Sequence, residues 1–239
     1  MKRSSIAYLG TSTVALLAAA ALGAGPALAH SPSSSKDEKG EKGQKTVSLE
    51  ANLHSLNNSG ATGHVTAKVR GQKILSIKVH AKGLTPDAPH AQHIHYGQQA
   101  LNECPTFKQD SNRDNRLNTV EGVPAYGPVV VSLNTTGDTT PASFLAVDRF
   151  PVAKDGMYSY SRKNINITSV AGTGYPGPGG AGTAKQIADA IRDGEGVVVI
   201  HGIDYDQSGG YSLSKEGVSE LPGGLPAEAT DPAACGVLR

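Results

Sequence analysis

The sequence predicts an all-β fold, a β-sandwich or barrel with long loops and one short helix. Three observations carry that expectation. From Thr46 onward, apolar and polar residues alternate through three successive segments, the period of half-buried strands. Twenty-nine glycines and 14 prolines supply many turns. Helical spacing of apolar residues is clear in one stretch, "AKQIADAIRDG".

Taken in order, residues 1–29 read as a secretory signal. Lys2 and Arg3 precede an apolar run, Val14 to Leu22, and the small-residue cleavage site Ala27-Leu28-Ala29. The run is too short for a membrane span, so a secreted protein beginning at His30 is expected. An amino-terminal His30 would itself offer an amine and an imidazole to copper. Residues 30–45, "HSPSSSKDEKGEKGQK", are too polar to bury and read as a flexible linker. Residues 46–239 then form one domain.

Val47, Leu49, Ala51 and Leu53 mark a first strand; Val65, Ala67 and Val69 a second; Leu75, Ile77, Val79 and Ala81 a third, in meander order. His54, His64 and His80 fall on the polar phase of these strands and should face solvent. "PHAQHIHYG", Pro89 to Gly97, leads into a short strand, and residues 98–127 read as a long irregular excursion. Further strands are expected at Gly127–Leu133 and Phe144–Phe150, and a weaker one at Lys163–Ser169. "GTGYPGPGGAG", residues 172–182, is loop, with no Lys-Ser/Thr to make it a phosphate cradle. Thr183 caps the helix and Gly194 stops it. Residues 196–206 supply a buried strand carrying His201, and "AACGVL" the last strand.

The 22 Lys and Arg balance 21 Asp and Glu, without the basic block that nucleic acid requires. No nucleophile motif of the G-x-S-x-G kind is present. Three of the chain's eight histidines lie within six residues. On a strand, His93 and His95 project to one face, while Ile94 turns into the core. With His201 they would form a three-imidazole set suited to copper or zinc, copper(II) leading the affinity order. Such a site requires the three ring nitrogens to converge within about 4 Å. Asp204 and Asp206 follow His201 and either orient its ring or lie in solvent. Cys104 and Cys235 in an exported chain most simply form one disulfide.

These motifs, in this order, resemble the Cu,Zn superoxide dismutase family and its non-dismutase relative, the chordin-type (CHRD) domain. "GLTPDAPHAQHIHYG" resembles the family's copper-ligand segment, with His93 and His95 as ligands and His90 as a histidine behind them. Cys104 lies nine residues past His95, as in the family; "VVIHGIDYD" places His201 on a third ligand, and "ACGVL" supplies Cys235 as the disulfide partner. The resemblance covers most of residues 46–239 and implies a Greek-key barrel. It also shows what is missing. Residues 105–196 contain no histidine, so no bridging ligand and no zinc are expected. The family's superoxide-guiding arginine is replaced by Pro232, leaving Arg113, Arg116 or Arg239 to substitute. The resemblance therefore implies a secreted copper-binding protein whose dismutase activity on superoxide is weak or absent. The competing implication, carried by "AQHIHYG" followed by "GPVVV", is a non-catalytic CHRD-like module that binds a partner.

Overall fold

A computed structural model describes residues 44–171 and 180–239; the signal segment and most of the linker and of the Gly/Pro-rich loop lie outside the described residues. Eight strands form one antiparallel sheet: β1 (Val47–Ser55), β2 (Thr62–Arg70), β3 (Lys73–Lys82), β4 (Gln92–His95), β5 (Val129–Ser132), β6 (Met157–Asn166), β7 (Val197–His201) and β8 (Pro232–Val237). Their order is β5-β4-β7-β8-β1-β2-β3-β6. The sheet curls into a barrel left open between β5 and β6. Pairing of β4 with β7, and of β1 with β8, gives the crossed connectivity of a Greek key.

The interior is filled from the apolar phase of the strands: Leu49, Ala51 and Leu53 from β1, Val65, Ala67 and Val69 from β2, Ile77 and Val79 from β3, Ile94 from β4. On β3 the sequence pattern slips. Ile74, not Leu75, enters the core, because a bulge opposite Lys68/Val69 inserts one residue and shifts the parity. His54 and His80 are exposed and His64 half-buried on the outer phase, as their parity requires.

Helix α1 (Thr119–Tyr126) lies within the segment expected to be irregular. Its signal was the capping box Asn118-x-x-Glu121, obscured by Gly122 and by Pro124 inside the helix. Helix α2 (Ala184–Arg192) starts at Thr183 as expected, and buries Ile187 and Ile191 completely. Each such side chain contributes about 1.5–3 kcal/mol. A single turn, α3 (Ala227–Thr230), precedes β8. Strand β6 starts six residues before the expected 163–169 segment, because Tyr158 and Tyr160 carry its inward phase.

Phe144–Phe150 is not a strand. The chain there forms two 3-10 turns, Pro141–Ser143 and Val147–Arg149. The segment is apolar because Phe144, Leu145, Val147 and Phe150 line a cavity on the outside of the barrel. A second, smaller apolar cluster lies on that same outer side: Val123 and Tyr126 of α1 pack on Val197, Val199 and Cys235. The Cys104–Cys235 disulfide, with sulfurs 2.01 Å apart, ties this outer layer to β8. Among the described residues, no helix is long and apolar enough to cross a membrane.

Candidate metal centre

His93 and His95 share one face of β4, and Ile94 between them is fully buried in the barrel. His93 stands opposite Val199 on β7, so His201, two residues further along β7, shares the same outward phase. Irregularities in the ladders fall at Ile94/His95 and Ile200/His201, where a bulge re-aims a side chain. The three rings gather, with centroids 5.7 Å (His93–His95), 5.3 Å (His93–His201) and 6.1 Å (His95–His201) apart.

Each ring is fixed by a backbone carbonyl. His95 Nδ1 donates to Gly127 O at 2.9 Å, His201 Nδ1 to Thr230 O at 2.6 Å, and His93 Nε2 to Phe144 O at 3.1 Å. A neutral imidazole carries one N–H, so these bonds set the tautomers and leave lone pairs on His93 Nδ1, His95 Nε2 and His201 Nε2. Those three atoms are buried and have no hydrogen-bond partner. One ligand atom from each histidine lies within 4.8 Å of the others. This bound is wider than the roughly 4 Å expected, and metal bonds of about 2.0–2.1 Å would draw the nitrogens to about 3.5 Å. The set fits a metal ion: each of the three clustered rings keeps one buried nitrogen without a hydrogen-bond partner.

Burial keeps the rings neutral. It lowers His95 to about 3 and His201 to about 4, and holds His93 well below the usual imidazole value. The neighbouring histidine charges add to the shift of His93 and His95, against the pull of the carbonyls that accept their N–H groups.

A cavity of about 50 Å³ opens over the centre. Besides the histidines its walls are almost wholly apolar, including Leu145, Val147, Phe150, Leu221 and Leu225, and among the described residues no lysine, arginine or carboxylate lines it. None of the three candidate arginines lines it. Arg116 is held by Asp231 at 2.9 Å and Glu220 at 2.8 Å. Arg113 stands in an exposed turn at φ 62°, and Arg239 follows the end of β8 remote from His201.

His90 lies behind the centre and is fully buried. Its Nδ1 is 2.8 Å from His201 O and its Nε2 3.1 Å from Thr85 O. Burial lowers its pKa, so the neutral ring donates to one of these two carbonyls, and the Tyr211 hydroxyl, 3.1–3.2 Å from both nitrogens, can donate to the ring nitrogen that carries no proton. With the proton on Nδ1, His90 holds the carbonyl of His201 from behind. Asp204 does not orient the His201 ring: its carboxylate accepts from the amides of Ser208 and Gly209, while Thr230 holds the imidazole. The sequence reading missed Phe144, Gly127 and Thr230, whose role is played by carbonyl groups that every residue carries. Tyr126, whose ring packs 4.5 Å from His95, was equally unmarked. No protein-family model matches the chain, and neither does any curated protein.

Proposed function

We propose that the protein is a secreted copper-binding protein, with His93, His95 and His201 as the ligands, no zinc subsite, and dismutase activity that is weak or absent. The observation that carries this reading is the trio of bare, buried, convergent imidazole nitrogens. The motif resemblance supports copper over other metals, and the disulfide agrees with an oxidising compartment. Copper bound there would supply one-electron chemistry between Cu(I) and Cu(II). Three neutral imidazoles in an apolar cavity favour the lower charge, because the cost of burying an ion grows with the square of its charge. Among the described residues no cation lines the cavity, so none of them steers or anchors superoxide there, which supports weak dismutation.

A CHRD-like module that binds through its surface would account for the histidine bonds to loop backbone. It does not account for three uncompensated nitrogens, each of which carries a desolvation penalty of about 1–3 kcal/mol without a metal. The test is competition for Cu(I) between the protein and a chromophoric chelator, with ascorbate as reductant so that the disulfide stays intact. One tightly held copper per chain is expected, lost in His93→Ala and in His201→Ala. Wild-type affinity in both variants would exclude the centre. A dismutase assay on the loaded protein then separates a binder from an enzyme.

A further inference from the structure

We propose a second metal site, on the outer surface of the barrel: a two-histidine chelate of His64 on β2 and His80 on β3. It would take a hydrated divalent first-row cation such as Cu²⁺, Ni²⁺ or Zn²⁺. The inference stands apart from the buried centre and does not depend on it.

His64 and His80 are directly opposed in the antiparallel β2–β3 ladder. Their neighbours Val65 and Val79 are fully buried, so both imidazoles project to the outer face. Opposed residues in such a ladder have Cβ atoms about 4.5–5.5 Å apart, a separation that two imidazoles can bridge through one cation.

The roll of each ring favours chelation. Asn52 on β1 is the register partner of His64, and Ser159 on β6 the partner of His80, so Asn52, His64, His80 and Ser159 form one row across four strands. His64 Nδ1 is 3.2 Å from Asn52 Oδ1, and His80 Nδ1 is 2.9 Å from Ser159 Oγ. Both Nδ1 atoms therefore turn outward, toward the flanking strands. In an imidazole ring Nε2 lies on the edge opposite Nδ1, so the two Nε2 edges face each other across β2 and β3. Asn52 Oδ1 can only accept, which places the proton of His64 on Nδ1 and the lone pair on Nε2. Ser159 Oγ can accept from His80 Nδ1 in the same way. The groove over the pair is also bordered by Asp155, Lys82 and Lys154. The carboxylate favours a cation and the two ammonium groups oppose it, so binding is moderate and weakens when Asp155 is neutralised.

Ni²⁺ is the probe, titrated into the full chain at pH 7.5 while the histidine ring protons are followed by NMR. The rings of His64 and His80 should broaden together and before that of His54, which lies on the same face but outside the pair. The affinity read at these rings should fall at least tenfold in both His64→Gln and His80→Gln, and stay at the wild-type value in His54→Gln. These residues are on the outer face, so the variants should keep the wild-type unfolding midpoint. Equal broadening of all three surface rings, broadening confined to the buried histidines, or wild-type affinity in either of the His64 and His80 variants would overturn the site. Because the readout is resolved by residue and uses Ni²⁺, it is independent of the Cu(I) competition at the buried centre.

Discussion

The two nitrogens of one histidine can take different tasks, and His201 shows both: Nδ1 grips the Thr230 carbonyl while Nε2 stays bare. Holding such rings neutral has a consequence for acid stability. In the folded, metal-free chain His95 and His201 take up protons only near pH 3 and 4, whereas in the unfolded chain they do so near 6.5. Between those values the unfolded state binds more protons, so the stability these groups contribute is full above about pH 6.5 and is lost as the pH falls toward 4 and 3. Each adds a slope of up to about 1.4 kcal/mol per pH unit. His90 and His93 are lowered in the same direction. Asp231 works the other way, since burial raises it to about 7 and its contribution is lost as the pH rises toward that value. One carboxyl group against four imidazoles leaves the histidines dominant. Urea unfolding of the metal-free protein should therefore show a midpoint that drops steadily from pH 6.5 to 4.5, and a flat profile would contradict the burial of the centre. The H-x-H spacing at His93 and His95, and the apolar run ending in His201, were legible in the sequence because side-chain identity and strand period carry them. The carbonyls that fix the rings were not, because only the folded path of the chain brings them there.

The elements that deliver those carbonyls are the least regular parts of the chain, and they depend on a few exact fits. Gly127 ends α1 at φ 84°, and a Cβ there would come within 2.5 Å of Gly97 N and 2.6 Å of Tyr96 C. Gly127→Ala should thus displace the carbonyl that holds His95. The expected outcome is a loss of more than about 1 kcal/mol of stability, with Cu(I) affinity at the centre lowered at least tenfold, measured by chelator competition. Arg116 performs a tie of another kind. It fastens the loop before α1 to Asp231, whose side chain is fully buried and accepts from Tyr205 as well. Above pH 7, where Asp231 is ionised, removing it leaves a buried carboxylate without its cation, and Arg116→Ala should cost about 3–5 kcal/mol in equilibrium unfolding there. A loss below 1 kcal/mol would mean that Asp231 is neutral in the wild-type fold. Strands β1 and β2 were legible because apolar side chains there have one cause, the barrel interior, and β7 because it is buried on both faces. Phe144–Phe150 misled because its apolar residues have a different cause, the cavity over the histidines, and pattern alone does not separate the two.

Across the molecule, one covalent link spans 131 residues of sequence, from the loop before α1 to the last strand. Reduction should lower stability by about 2–5 kcal/mol, and more through the unfolded chain than through lost native contacts. Matched thermal melts with and without a strong thiol reductant would measure it, and an unchanged midpoint would show the outer layer to be secured by packing alone. The barrel itself is open between β5 and β6. At that seam Tyr160 and Arg162 of β6 reach the carbonyl of Asn134, and Arg162 also that of Gly137. The stretch from Asn134 to Phe150, which roofs the histidines, is moored to the barrel by these side chains and by the backbone bond from Ser132 N to Thr139 O, rather than sewn into a continuous ladder. A lift of this roof would open the histidine cluster without any pair of strands unzipping. The amides of 135–149 should accordingly exchange with solvent far faster than those of β4 and β7 beneath them, so that the floor of the candidate metal centre would keep its shape while its roof served as the door.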